Sequence, residues 1–132
     1  MGLAQQALDQ RVPLGTLGQR ILERCGANRQ NLQAWCAGAR QFEYAQLARL
    51  VFECADTDPA AEDLLNRAAD ALEAIALALD PTHVLPLAIC GSVGQQLKLR
   101  MAPTTRARCI EARQDATHGA LNLIRAALQA KP

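Results

Sequence analysis

The stretch from Val84 to Leu97, V-L-P-L-A-I-C-G-S-V-G-Q-Q-L, predicts a strand, a tight turn and the start of a helix in direct succession. The apolar run closes at Cys90, Gly91 to Gly94 interrupt it, and Gln95 opens the helix. In open α/β folds, the loop that follows the carboxyl end of a strand faces the crevice where ligands bind. Glycine in that loop lets the backbone approach a ligand, because no Cβ is in the way. The segment is therefore a candidate ligand-binding turn.

The same turn also has an ordinary structural interpretation. A short Gly-Ser turn after a buried strand is common in proteins that bind nothing there. The segment contains neither a G-x-x-x-x-G-K-[ST] loop nor a G-x-G-x-x-G fingerprint, so neither of those phosphate-binding mechanisms applies. The turn alone leaves both interpretations open.

Composition limits the kind of domain to which this turn can belong. With 132 residues, half of them apolar, the chain is long enough for one domain with a modest core. Aromatic residues make up only 3%, so leucine and alanine must fill most of the core, which favours closely packed helices. The net charge of +1 and the absence of a basic run give no electrostatic footprint for nucleic acid or an anionic membrane. We expect neither partner.

The chain shows no sequence signal for a membrane span, for export or for a metal site. Its longest apolar stretch, Ala74 to Leu79, is too short to cross a bilayer, and the first residues lack the pattern of a signal peptide. We therefore expect a cytoplasmic protein. An odd number of cysteines without C-x-x-C spacing predicts reduced thiols, and neither these nor His83 and His118 have the spacing of metal ligands. The cysteines are Cys25, Cys36, Cys54, Cys90 and Cys109.

Hydrophobic periodicity predicts an α/β chain with about six helices and two short strands. Besides the helix that begins at Gln95, helices are predicted over 2–10, 14–25, 28–38, 42–55, 59–79 and after 115, and the strands within 84–90 and 107–112. Asp58-Pro59 is the strongest helix start, because Asp58 can accept from free amides and Pro59 has no amide to lose. Asn28 and Asp115 are predicted to cap two other helices.

The apolar positions of these helices predict which side chains are buried. In the longest helix, one seam is expected to face the core, and the acidic residues are expected on a solvated face. The aromatic residues fit helical spacing and are expected in the core rather than on a stacking platform, and His83 is expected in a loop. The seam residues are Leu65, Ala68, Leu72, Ile75 and Leu79. The aromatic residues are Trp35, Phe42, Tyr44 and Phe52.

Two small residues, Gly119 and Ala120, fall near the start of the last predicted helix. Their size permits the close approach of another backbone or of a ligand. Spacing alone does not separate a ligand contact from simple helix packing.

The order of these elements resembles the carboxyl-terminal half of the BadF/BadG/BcrA/BcrD-type ATPases, a group that includes N-acetylglucosamine and glucosamine kinases. The similar segments are D-P-A-A-x-x-L-L-x-x-A-A-x-x-L from Asp58, G-S-V-G from Gly91 and D-A-T-H-G-A-L from Asp115. The resemblance runs from about Gly2 to Ala127, with Thr57 at a position where the family usually has glycine. It implies the helix-dominated half of an actin-like, ribonuclease H-like ATPase domain.

The resemblance also implies an ATP site with a defined adenosine side. Ile89 to Val93 is similar to the family's adenosine motif, and Asp115 to Leu121 is similar to its closing segment. Backbone contacts would line the adenine or ribose pocket, side chains would form its wall, and the last helix would support it. Gly91 and Ser92 are implied for the backbone contacts, Val93 and Gln95 for the wall. Gly119 and Ala120 are implied for the support from the last helix.

The phosphate loops and the catalytic aspartate of such kinases have no counterpart in this sequence. Family members carry a D-G-G-G-T-type loop, a second Gly-Thr loop and a G-D-E-G-S-type sugar segment in the half that is absent here. We therefore assign no catalytic residue, expect magnesium only in an intact enzyme, and expect residues 1–132 to be an inactive fragment or split subunit. The expected partners are ATP, an amino sugar, and the missing amino-terminal half or a second copy. A helical interaction module that binds no nucleotide remains the alternative.

Overall fold

The computed structural model describes residues 1–129, leaving aside the side chain of Ala116, and places eight helices and two short parallel strands in them. This confirms a mostly helical α/β fold, although with more helices than expected. The helices are α1 (Gly2–Leu8), α2 (Thr16–Cys25), α3 (Arg29–Gly38), α4 (Gln41–Cys54), α5 (Pro59–Leu79), α6 (Ser92–Lys98), α7 (Pro103–Ala107) and α8 (Ala116–Gln129). The strands are β1 (Leu87–Ala88) and β2 (Cys109–Ile110). Two compact units divide the chain, an N-terminal unit of Met1–Asp70 and a C-terminal unit that begins at Ala71.

Helix α2 is central to the N-terminal unit, where it packs against α1, α3 and α4. Leu17 and Leu32 are the largest fully buried side chains, and leucine and alanine supply most of the core, as composition predicts. Cys25 and Cys54 are buried as free thiols, and burial raises the pKa of the Cys25 thiol. The core cluster comprises Ala4, Leu17, Ile21, Leu22, Cys25, Leu32, Leu47, Leu50, Cys54 and Ala61.

The prediction of an aromatic core is wrong for two of the four aromatic residues. Phe42 is 71% exposed and Tyr44 is exposed as well, with its ring edge-on to Trp35 at 5.1 Å between centroids. Helix α4 buries its other face, through Leu47, Leu50 and Cys54. Phe42 lies about 140° around the helix from Leu47, so the packing that buries the leucine leaves the ring outside.

Asp58 joins the starts of two helices in the N-terminal unit. Its Oδ1 accepts from the amide of Ala60 at 2.9 Å, which makes it the cap of α5 that the sequence predicts. Its Oδ2 accepts from the amide of Leu17 at 2.7 Å, in the first turn of α2, and this bond is buried. Gly15 leaves room for the carboxylate, because a Cβ there would lie 2.5 Å from Oδ2.

Helix α5 buries a different stripe from the predicted seam. The buried positions are Ala61, Leu65, Ala69 and Ala76, which advance mainly in steps of four residues. The predicted seam alternates steps of three and four and ends on Ile75 and Leu79, which are 57% and 79% exposed. The seam is therefore correct at Leu65 and wrong at its carboxyl-terminal end. Glu62, Asp63 and Asp70 are exposed, as expected, and Asp63 forms an exposed ion pair with Arg67 at 2.9 Å, whereas Glu73 is half-buried and accepts from the amide of Ala102 at 2.8 Å.

The C-terminal unit contains the paired strands, which are shorter and more exposed than predicted. Leu87 pairs with Cys109 and Ala88 with Ile110 in parallel register. Ala88 and Ile110 are exposed, so the face of the strand pair on which they lie is uncovered in the described chain, whereas Leu87 and Cys109 on the other face are half-buried. Its buried residues, within the described part, are Ala76, Asp80, Leu97 and Met101.

Helix α7 was not predicted. Pro103 is the first residue of this short helix, where a missing amide costs nothing. Over residues 1–129, no helix combines the length and apolar character that crossing a membrane requires.

Candidate functional site

The two groups of residues implied in ligand binding both follow the paired strands. Gly91 comes shortly after the end of β1, and α8 begins at Ala116, a few residues after the end of β2. The strands are parallel, so their carboxyl ends lie at the same edge. The segments that lead from β1 to Gly91 and from β2 to α8 therefore leave the strand pair at one end, which is where ligands bind in open α/β folds.

Gly91 alone makes the bend that was predicted over four residues. Its φ of +83° favours glycine, and it is the N-cap of α6, which already begins at Ser92. No atom lies within 4 Å of the position that a Cβ would take on Gly91. Ser92 and Val93, in the first turn, are exposed. The backbone at this bend is thus open to a ligand.

Gly94 and Gln95 both make contacts within the protein, with Ile89. A Cβ on Gly94 would lie 2.8 Å from Cγ2 of Ile89, so α6 approaches the end of the strand closely at this glycine. The side-chain amide of Gln95 donates to the carbonyl oxygen of Ile89. Gly94 therefore lies within α6 rather than in the predicted turn, and Gln95 fixes the bend while it remains exposed.

The start of α8 has an open surface beside its cap. Asp115 Oδ1 accepts from the amide of His118 at 2.9 Å and lies 2.9 Å from its Nδ1, as expected for the predicted cap. These contacts, the backbone bond first, hold the pKa of Asp115 below its usual value. Gly119 has no atom within 4 Å of a Cβ position, and Ala120 is exposed.

Sequence reasoning missed the side chains that fix the strand pair. Arg108 forms an ion pair with Asp80 that is largely shielded from water, and it donates to the carbonyl oxygen of Leu85 at 2.9 Å. It also donates to Nδ1 of His83 at 2.8 Å, because a guanidinium can only donate. Asp80 accepts in turn from the amide of Leu85 at 2.9 Å. We call Asp80, His83, Leu85 and Arg108 the Asp80 cluster.

The Asp80 cluster joins the segment before β1 to the residue before β2. The sequence indicated only that Asp80-Pro81 ends a helix and that His83 lies in a loop, and both predictions are correct. A single arginine within a predicted strand gives no sign of a partner that is distant in the sequence. The cluster therefore sets the register of the strands that place the candidate site.

The Asp80 cluster should weaken at acid pH. The hydrogen bond from the Leu85 amide, followed by that from the Thr82 hydroxyl and by the charge of Arg108, lowers the pKa of Asp80 against the effect of burial. A carboxyl group whose folded pKa is below its unfolded value, about 3.9, stabilises the fold above that value. That stabilisation is lost as pH falls through the folded pKa.

We expect the exchange protection of the Leu85 and Leu87 amides to decrease in this acid range, as measured by NMR with correction for intrinsic rates. The Asp80→Ala variant, which has no acceptor at this position, should show low protection at every pH. Equal protection of the wild-type amides down to pH 2 would contradict the assignment of Asp80 as the group whose protonation weakens the cluster.

The N-terminal unit contains clefts of a different character. One of about 430 Å³ is lined mainly by apolar side chains that include Leu3, Leu17 and Leu64. Another, of about 350 Å³, lies beside Trp35 and Phe42. Among residues 1–129, no three His, Cys, Asp or Glu side chains are grouped so that they could hold a metal ion. Neither cleft contains the residues that the sequence implies in nucleotide binding.

The fold matches part of a solved structure that is named as a kinase. The chain is similar to the crystal structure described as a "putative N-acetylglucosamine kinase" from Chromobacterium violaceum, with a TM-score of 0.87 and 39% sequence identity. The match covers 92% of this chain and 43% of that one, so the chain spans less than half of that protein's length. No protein-family model and no curated protein matches the chain. The wider BadF/BadG/BcrA/BcrD-type assignment stays a prediction from the sequence.

Proposed function

We propose that this chain is part of an ATP-dependent amino-sugar kinase, of the N-acetylglucosamine or glucosamine kinase type, and supplies the adenosine side of its ATP site. The observation that carries the proposal is the match to the Chromobacterium violaceum protein across 92% of the chain. At 39% identity, the similarity extends beyond the fold to the sequence that builds it.

The proposed adenosine contacts lie where the two strands end. The backbone of Gly91 and Ser92 would contact the adenine or ribose, and the open space at Gly91 supports this role. Val93 would contribute an apolar wall, and Gln95 would hold the bend through its bond to Ile89. Gly119 and Ala120 would let the first turn of α8 approach the nucleoside.

The chemical step would depend on groups outside this sequence. Transfer of the γ-phosphate to a sugar hydroxyl needs groups that position the phosphate and neutralise its charge, commonly with magnesium, and a base for the hydroxyl. The sequence contains none of the loops that supply these groups in such kinases. Residues 1–132 would accordingly bind the nucleoside part of ATP without turning it over.

Calorimetric titration with ATP, ADP and adenosine tests this proposal. We expect weak binding, roughly millimolar, with similar affinity for all three ligands, because only the nucleoside is contacted. The Gly91→Val variant should bind none of them, since valine fills the open space and disfavours the positive φ. Absence of heat with every ligand, or an ATP affinity far above that of adenosine, would contradict the proposal.

The second candidate function is a helical interaction module. The observation in its favour is the large number of apolar side chains that the C-terminal unit exposes, which include Leu79, Val84 and Leu123. An interaction module would bind a protein partner but show no response to nucleotides in the same titration.

A further inference from the structure

The cleft beside Trp35 and Phe42 combines two aromatic rings with three polar side chains. Its volume of about 350 Å³ is within the range of small-molecule sites, roughly 300–1,000 Å³. All of its lining residues belong to the N-terminal unit, and they are Arg24, Trp35, Phe42, Glu43 and Gln46. Aromatic walls with a few polar groups are the usual composition of such a site. We call it the Trp35 cleft.

The aromatic side chains of the Trp35 cleft are available to a ligand. Phe42 is exposed, and no described residue covers its ring. Trp35 is held in place, because it packs against the buried core and the ring of Tyr44 meets it edge-on. A ring with a fixed orientation loses little conformational entropy when a ligand stacks on it. The cleft therefore offers a preformed aromatic surface.

The polar side chains of the cleft offer both donors and acceptors. Arg24 can only donate and an ionised Glu43 can only accept, whereas the amide of Gln46 does both. Within residues 1–129, the side chains of Arg24 and Gln46 form no hydrogen bond or ion pair. Glu43 uses one carboxylate oxygen to accept from the amide of Arg40 at 2.8 Å, which leaves the other oxygen for a ligand. The charges of Arg24 and Glu43 cancel, so the cleft favours a ligand without net charge.

We infer that the Trp35 cleft binds a neutral saccharide, with one face of a pyranose ring against the aromatic side chains and its hydroxyl groups towards Arg24, Glu43 and Gln46. The C–H groups on a pyranose face carry a small positive charge, which the negative face of an aromatic ring attracts. Each hydroxyl group both donates and accepts, so adjacent hydroxyl groups can bond to a donor-only and an acceptor-only partner at once.

The exposure of the cleft favours a saccharide over an aromatic base. Arg24, Phe42, Glu43 and Gln46 are all exposed, so a ligand bound among them keeps one side in water. The outer hydroxyl groups of a saccharide remain hydrated there, whereas a base would leave an apolar ring face uncovered. The inference concerns the N-terminal unit alone and does not rest on the proposed function.

Fluorescence of Trp35 tests the inference in the full chain, because Trp35 is its only tryptophan. We expect a saturable change in emission with at least one of D-glucose, N-acetyl-D-glucosamine and maltose, with half-saturation at roughly 1–10 mM. Two-dimensional NMR should show the same saturation for the indole Nε1–H of Trp35. Sorbitol, which has hydroxyl groups like those of glucose but no ring, is the matched control and should give no saturable change.

Three variants separate the Trp35 cleft from the rest of the N-terminal unit. Phe42→Ala should weaken saccharide binding at least about tenfold, because it removes one stacking surface. Phe42→Tyr keeps the ring and should retain the affinity. Leu14→Ala removes another exposed apolar side chain, which lies ahead of α2, and should leave the affinity unchanged. Leu14 and Phe42 are exposed, so circular dichroism should show that all three variants fold like the wild type.

Any of four results would overturn the inference. The first is no saturable change with any of the three saccharides up to about 100 mM. The second is an equal response to sorbitol and to glucose, and the third is wild-type affinity in Phe42→Ala. The fourth is a response of Trp35 to adenosine but not to saccharides, because a base would then be the occupant. Failure of adenosine to bind at Gly91 would count against the proposed function alone.

Discussion

Replacing Asp58 by alanine is expected to lower the free energy of unfolding of the N-terminal unit by roughly 2–4 kcal/mol. The substitution removes the cap of α5 and leaves the amide of Leu17, whose bond to Asp58 is buried, without its acceptor. Both contacts bring a negative charge to a helix amino terminus, which the helix dipole favours. Urea denaturation followed by circular dichroism measures the change.

Three further variants resolve the two roles of Asp58. Asn28→Ala removes a cap with a single exposed bond, to the amide of Asn31, and should cost only about 1 kcal/mol. Asp58→Asn keeps one carbonyl acceptor and should lie between these two. Gly15→Ala leaves the carboxylate in place but directs a Cβ at its Oδ2, so it should also destabilise the unit. Equal effects of Asp58→Ala and Asn28→Ala would show that the bond to Leu17 contributes nothing.

Replacing Gly119 by valine is expected to weaken adenosine binding by at least about tenfold, equivalent to roughly 1.4 kcal/mol. The structure has empty space around the Cβ position of Gly119, so valine can be accommodated without a clash in the free protein. In the complex the same space would be occupied by the nucleoside. Calorimetry with adenosine measures the loss, and thermal melts of the free variant check its fold.

Gly38→Val is the matched control for this variant. Gly38 is also a helical glycine with no atom within 4 Å of a Cβ position, but it lies in α3, in the N-terminal unit. Its replacement should leave adenosine affinity unchanged. If Gly119→Val binds adenosine like the wild type, the first turn of α8 does not contact the nucleoside.

The features that the sequence predicts well are those with a local cause. Asn28, Asp58 and Asp115 each cap a helix within the next few residues, and the structure shows all three bonds. The order of the main helices and the strand-bend-helix segment at Gly91 follow from local periodicity and glycine position in the same way. The sequence therefore predicts the elements on which the candidate site lies.

The features that the sequence predicts poorly depend on contacts between distant parts of the chain. The second bond of Asp58 reaches Leu17, and Arg108 reaches Asp80, and neither pairing has a signature in one sequence. Which side chains are buried is predicted incorrectly for the same reason. Phe42 and Leu79 have helical spacing but lie on faces that no described element covers. The length of β1 was overestimated because the apolar run continues beyond the paired residues.

The central claim is that a nucleoside binds where the parallel strands end, at the bend of Gly91 and the first turn of α8. The most direct test is to follow the backbone amide signals of the full chain by two-dimensional NMR as adenosine is added. The account predicts saturable shifts at Gly91, Ser92, Val93, Gly119 and Ala120, with the core of the N-terminal unit unaffected. Saturable shifts confined to other residues, such as those beside Trp35, or no shifts at all, would contradict it.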